Sequence, residues 1–256
     1  LRIIDSHCHL ESEAFDGRLP EVMAAAREAG VVRMVTASVE PATWGRSEAI
    51  AREHEGVAFA LGVHPWFVKA GHEQALEELR SARDRGACAI GEIGLDKKID
   101  EPAMDLQQRF FMRQAEIARE QELPFVVHCR GAWGELMHCL KELGEVPAGG
   151  VIHAFSGSEE LVEQLNSYGF LYSMGRSLTY RNSKKRAAVL RAAYPERLLL
   201  ETDSPDMPPV EKDGEVNVPA NIRYCLAAAA EALGESEEDV AEATTRNAVR
   251  LFGLKL

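Results

Sequence analysis

The chain alternates between short apolar runs and longer stretches in which apolar residues recur at three- and four-residue spacings. The short runs fall at residues 2–6, 31–37, 57–63, 87–93, 124–128, 150–153, 170–173 and 198–202. Several are apolar almost throughout, as in Leu198-Leu199-Leu200, which is the pattern of parallel strands covered on both faces. Between them, residues 19–29, 41–54, 72–85, 104–121, 132–143, 158–168 and 183–194 carry a helical period. Gly30, Gly86, Gly144 and Gly169 follow four of these stretches and supply helix stops. Two further helices are predicted at 219–233 and 236–252, the second opened by Ser236 as a cap.

Strands alternating with helices predict a parallel sheet with right-handed crossovers. Eight such units favour closure, giving an α/β fold of the (β/α)₈ TIM-barrel type. The 256 residues match the roughly 250 that such a barrel needs, so one domain over 1–256 is expected. An open doubly wound sheet is the competitor, but no GxGxxG follows the first strand. The irregular stretch 204–218, rich in Pro, Asp and Glu, comes straight after the eighth strand and reads as an active-site loop.

Composition narrows the setting. No stretch approaches the ~20 consecutive apolar residues of a membrane span, and the chain opens without a signal-peptide pattern, so the cytoplasm is the expected location. No membrane and no obligate protein partner are expected. Five cysteines, Cys8, Cys88, Cys129, Cys139 and Cys225, form no CxxC pair, which predicts reduced thiols. Cys8 and Cys129 stand beside histidines and read as small buried residues, not ligands. The formal charge of −12 argues against a protein that wraps duplex nucleic acid. Bound divalent cations would reverse that sign locally.

The chemistry lies where unusual residues fall. His7 and His9 follow the first run, Glu92 lies near the end of the fourth, His128 ends the fifth, His153 the sixth, and Asp203 follows the eighth. In a parallel barrel these ends meet on one face, where barrel enzymes place their sites. Of the 8 histidines, His7, His9, His64, His128 and His153 sit at predicted strand ends, a small part of the chain. His7 and His9 are two apart, so on a strand both imidazoles point the same way. By the same alternation Glu201 and Asp203 share a side; either could reach the site, and Asp203 is nearer the mouth. Four imidazoles and two carboxylates exceed the ligands of a single hydrolytic ion with open positions. They suit two divalent metal ions (Zn, Mg, Mn or Ni), with Asp203 and Glu92 as catalytic carboxylates and Glu92 able to bridge. No P-loop and no Ser–His–Asp arrangement is present.

The segments Asp5-Ser6-His7-Cys8-His9, Gly62-Val63-His64-Pro65, Gly91-Glu92-Ile93-Gly94-Leu95-Asp96, His128-Cys129-Arg130, His153-Ala154-Phe155-Ser156-Gly157-Ser158 and Glu201-Thr202-Asp203-Ser204-Pro205 together resemble the TatD family of metal-dependent deoxyribonucleases. The resemblance spans nearly the whole chain in the family's order, and Asn217-Val218-Pro219 also fits it. It implies a TIM barrel of the amidohydrolase type. It implies one metal on His7, His9, Glu92 and Asp203, and a second on Glu92, His128 and His153. His64 and Arg130 would then lie near the substrate phosphate, with Ser156, Gly157 and Ser158 as a helix-opening phosphate loop. A structural ion pair is the alternative for Arg130, and a solvated helix face the reading for Lys184, Lys185 and Arg186. The substrate expected from the resemblance is a DNA end or single-stranded DNA, bound weakly and without sequence specificity. An amidohydrolase acting on a small phosphoester, amide or lactone, and a non-catalytic binding protein on the same fold, are the competing functions. Many amidohydrolases bridge their metals with a modified lysine on the fourth strand; here that place holds Glu92.

Overall fold

The computed structural model describes residues 1–180 and 183–256. Eight strands form one sheet in the order β1 to β8: Ile3–Cys8, Val31–Ala37, Val57–Leu61, Ala89–Asp96, Phe125–Arg130, Gly150–Ile152, Phe170–Met174 and Leu198–Leu200. Each paired neighbour is parallel. The helices α1 (Leu19–Glu28), α2 (Pro41–Glu53), α3 (Glu73–Glu78), α4 (Met104–Glu120), α5 (Trp133–Leu143), α6 (Glu159–Asn166) and α7 (Lys184–Ala193) alternate with the strands. Two more, α8 (Ile222–Leu233) and α9 (Glu237–Phe252), follow β8. This is a single (β/α)₈ barrel. One set of strand residues, including Ile4, Val35, Ala60, Ala89, Val126, Val151, Leu171 and Leu199, packs in its own cluster with α9. The alternate residues pack outward against the helices. That division explains why the strands read as continuous apolar runs.

The seam between β8 and β1 is closed by side chains as much as by backbone. β8 is only three residues long. The Asp5 carboxylate accepts from Thr202 N (3.0 Å) and Thr202 Oγ1 (2.5 Å), and Ser6 Oγ donates to the Leu200 carbonyl (2.9 Å). Beyond them Asp203 N donates to the His7 carbonyl (3.0 Å) and His9 N to the Ser204 carbonyl (2.7 Å). Burial pushes the Asp5 carboxyl up to about 7, against these hydrogen bonds and His7.

Several element ends differ from the sequence pattern. β1, β4 and β5 run two or three residues further than their apolar runs, to Cys8, Asp96 and Arg130, and the polar side chains His7 and Asp96 among the added residues are buried at the mouth. The predicted helix at 72–85 shrinks to α3 and a 3-10 turn over Leu79–Ser81. There the backbone leaves the helix to meet the next layer: Arg83 N donates to Gln121 Oε1 at 2.9 Å. Ser158 caps α6 and Ser236 caps α9 through their hydroxyls. No helix of the described residues is long and apolar enough to cross a membrane.

Candidate metal centre

The ligands predicted from the sequence come together at the C-terminal mouth of the barrel. Glu92, on β4, is buried at the centre, and its two oxygens face different groups. Glu92 Oε2 lies 3.2 Å from His7 Nε2 and 3.6 Å from His9 Nε2. Asp203 Oδ1 completes that side, 3.5 Å from His7 Nε2 and 3.2 Å from His9 Nε2. Glu92 Oε1 lies 2.8 Å from His153 Nε2, 3.3 Å from His128 Nδ1 and 3.2 Å from His64 Nε2. The His7 and His153 rings stack at 4.0 Å between the two sides.

Backbone geometry makes this convergence achievable. Gly94 has φ +149°, and a Cβ there would stand 1.9 Å from the His128 carbonyl oxygen, so β4 and β5 approach only without a side chain at that position. A Cβ at Gly62 would meet the Glu92 carbonyl at 2.7 Å. Ala154 and Asp203 adopt left-handed backbone conformations, φ 44° and 59°. Such positions cost about 1–3 kcal/mol each and persist where surroundings hold them. Glu201 Oε1 holds Ala154 by accepting its N–H at 2.7 Å, and the Asp203 N–H is held by His7.

Hydrogen bonds on the far side of each ring separate ligands from donors. His9 Nδ1 donates to the Ala37 carbonyl at 2.7 Å, leaving Nε2 as the lone pair toward Glu92 and Asp203. His128 Nε2 meets Asp96 Oδ2 at 3.1 Å, leaving Nδ1 toward Glu92 and His153. A carbonyl or carboxylate behind the ring is the usual support of a metal-binding histidine. His64 is locked the other way: its Nδ1 accepts the Trp66 N–H at 3.1 Å, so the neutral ring carries its proton on Nε2. His64 therefore offers a hydrogen bond into the site, not a ligand lone pair.

The residues fit divalent cations. Two sets, His7–His153–Asp203 and His7–His9–Glu92, bring ligand atoms within 4.8 Å of one another, and His128 Nδ1 lies 3.3 Å from Glu92 Oε1 and 3.2 Å from His153 Nε2. The separations of 3.2 to 3.6 Å around His7, His9, Glu92 and Asp203 match the edge of a tetrahedron, roughly 3.4 Å, for ligands 2.0–2.1 Å from an ion. His7 Nε2, which faces Glu92 and Asp203, is buried without a hydrogen-bond partner, a cost that a cation there relieves.

Protons stand in for that positive charge in the bare site. Burial opposes charge on His7, yet Glu92 and Asp203 outweigh it and raise the ring to about 10. His128 likewise rises to about 9 against burial, through Asp96 and Glu92. Burial drives His153 down to about 4, helped by His7. Against its own burial, Glu92 falls well below the carboxylate range, through His153, His64 and His7; the adjacent rings of His7 and His9 depress Asp203 in the same way. Glu201, one layer deeper and 3.9 Å from His153 Nδ1, is pushed up to about 8 by burial.

The remaining predicted residues are placed less centrally. Arg130 donates from Nε to Asp96 Oδ1 at 3.0 Å, so it makes the ion pair weighed for it and stays half-exposed. The Ser156–Gly157–Ser158 loop has other duties. Ser158 Oγ caps Leu161 N, Gly157 makes room for the Phe155 ring, and the Ser156 carbonyl accepts from Lys185. Glu159 and Glu160 fill the first turn of α6, which disfavours an anion there. Three contributors escape the sequence reading. Asp96 holds His128, and its spacing of four from Glu92 on one strand was the available signal. Glu11 takes a 2.5 Å hydrogen bond from Thr36 and lies 3.5 Å from His9 Nδ1, with no local signal. Trp66 donates to Asp96 Oδ2 at 2.6 Å from a loop whose role the pattern did not reveal.

A (β/α)₈ barrel with buried His/Asp/Glu clusters at the C-terminal ends of its strands is the setting of a metal-dependent hydrolase. The chain belongs to the TatD family: the family model described as TatD related DNase matches residues 4–253. It is 34% identical over 252 residues to the "Uncharacterized metal-dependent hydrolase YabD" of Bacillus subtilis, covering 98% of each chain. The crystal structure of YjjV, a TatD homolog from Escherichia coli K12, superposes with TM-score 0.93 at 32% identity, covering 99% of both. A mouse relative, "Putative deoxyribonuclease TATDN3", is 31% identical over 268 residues, covering 98% of this chain and 88% of its own.

Proposed function

We propose that the protein is a phosphodiesterase that cleaves DNA at single-stranded ends, using two divalent metal ions held across Glu92. The observation that carries this reading is the division of Glu92, one oxygen toward His7 and His9, the other toward His128 and His153. A carboxylate so placed would serve two cations at once, and two-metal sites serve in-line displacement at phosphorus. One ion would rest on His7, His9, Glu92 and Asp203, the other on Glu92, His128 and His153. Bound there, the pair supplies a lowered pKa for water and charge against the phosphoryl oxygens.

The protein's own groups do the rest. Asp203, ionised and 16% exposed at the lip, accepts the proton of the attacking water. His64, neutral because burial lowers its pKa, donates from Nε2 to a phosphoryl oxygen. Arg130 presents its free guanidinium nitrogens to the next phosphate. The names of the family and of the mouse relative support a DNA substrate. The charge of −12 supports action at ends or on single strands over groove binding.

The test is hydrolysis of end-labelled single- and double-stranded DNA by metal-free protein reloaded with Mg, Mn, Zn or Ni. A panel of chromogenic phosphoesters, amides and lactones runs alongside. Metal-dependent loss of the single-stranded label, abolished in His128→Ala, is expected. Turnover of a lactone or amide but not DNA would move the protein to the small-substrate branch.

A further inference from the structure

Trp66 is the most exposed aromatic side chain beside the site, yet it is firmly held. Its relative exposure is 50%, while its indole N–H donates to the buried Asp96 and its backbone N–H to His64 Nδ1. Its ring lies 5.1 Å from the His64 ring and 6.3 Å from the His128 ring, both edge-on. The Arg130 guanidinium sits over it at 5.5 Å, within cation–π range. Asp96 fixes both tiers: Oδ2 takes Trp66 Nε1 (2.6 Å) and Oδ1 takes Arg130 Nε (3.0 Å), with Lys98 N (2.8 Å) completing it. Among the described residues, the terminal nitrogens of Arg130 donate to no protein acceptor, and the side chain is 48% exposed.

An apolar ring held rigid, half in water and immediately beside catalytic ligands forgoes burial that a protein of this size could supply. A guanidinium placed over that ring brings a planar cation and free donors together. Planar bases stack on such aromatic and guanidinium faces, while the donors take the phosphate. We infer that Trp66 and Arg130 form a nucleobase-stacking shelf that seats the terminal nucleotide of the substrate next to Glu92. The inference rests on the phosphodiesterase reading and adds a base-reading subsite to it. The shelf recognises a planar base of any identity, so it selects nucleotide esters over aliphatic ones without sequence preference.

The test compares a short single-stranded oligonucleotide with the same strand whose terminal nucleotide is abasic, in Mg²⁺. Wild type favours the base-bearing end in kcat/KM by roughly 5- to 150-fold, the span of one base stacked on an aromatic ring. Trp66→Ala brings the two substrates within about threefold of each other, and Trp66→Phe, which keeps a ring, retains most of the preference. Equilibrium affinities for both strands, with the anisotropy of a dye on the far end of the strand as readout in Ca²⁺, follow the same ratios and require no turnover. A wild type indifferent to the base, or a preference that survives Trp66→Ala, overturns the shelf. Absence of hydrolysis with a base-dependent affinity that collapses in Trp66→Ala keeps the shelf and removes the phosphodiesterase reading.

Discussion

Replacing Asp96 by Asn is the sharpest test of how the site is held. The carboxylate accepts four hydrogen bonds, two on each oxygen: Trp66 Nε1 and His128 Nε2 on Oδ2, Arg130 Nε and Lys98 N on Oδ1. An amide of the same shape keeps one accepting oxygen. Whichever way it turns, two N–H groups face an NH₂. If that group faces His128, the ring escapes by moving its own proton from Nε2 to Nδ1, the nitrogen that points at Glu92 and His153. A proton there closes the lone pair to a metal. If the NH₂ faces Arg130 and Lys98 instead, two donors are left wanting, at about 1–3 kcal/mol for each one buried. Loss of such a supporting partner typically weakens metal binding about 10- to 100-fold. The expected outcome is therefore a selective fall of that size in affinity at the His128–His153 side. The His7–His9 side, supported by Ala37 and Asp203, keeps its affinity. Titration of chelator-stripped protein with Zn²⁺ by calorimetry reads both sides. Two unchanged binding events in Asp96→Asn, with unfolding stability also unchanged, would refute the supporting role given to Asp96.

Other outcomes follow from the same geometry. His7 and His128, raised to about 10 and 9, carry protons at neutral pH that a cation must displace, so loading releases protons and affinity climbs between pH 6.5 and about 9. Calorimetry in two buffers of different ionisation enthalpy counts them; no buffer dependence contradicts it. The same protons are held more tightly folded than unfolded, as is that of Glu201 near 8, so metal-free protein loses stability as pH rises from about 7 to 10. Melting temperatures in excess chelator should fall across that window and fall less once metal is bound. Gly94→Ala drives a methyl into the His128 carbonyl and should cost about 3 kcal/mol or more, read by urea unfolding. Asp5→Ala unpins Thr202 at the β1–β8 seam and should cost about 2–4 kcal/mol, with activity lost together with stability.

The alternation of apolar runs and amphipathic stretches was enough to read eight strands, their order and the barrel, because parallel strands buried on both faces and helices buried on one leave different periods in the chain. The same periods put His7, His9, Glu92, His128, His153 and Asp203 at strand ends, and barrel closure makes all strand ends neighbours. What tertiary structure alone decided is finer. Which oxygen of Glu92 meets which imidazole depends on the approach of β4 to β1, β5 and β6, set by close packing at Gly62 and Gly94. Which histidine is ligand and which is donor depends on the atom behind each ring: Ala37 for His9, Asp96 for His128, the Trp66 N–H for His64. Asp5 meets Thr202 across 197 positions and Asp96 meets His128 across 32. A hydrogen bond is satisfied by direction and distance within a few tenths of an ångström, and neither leaves a trace in the spacing of residues along the chain.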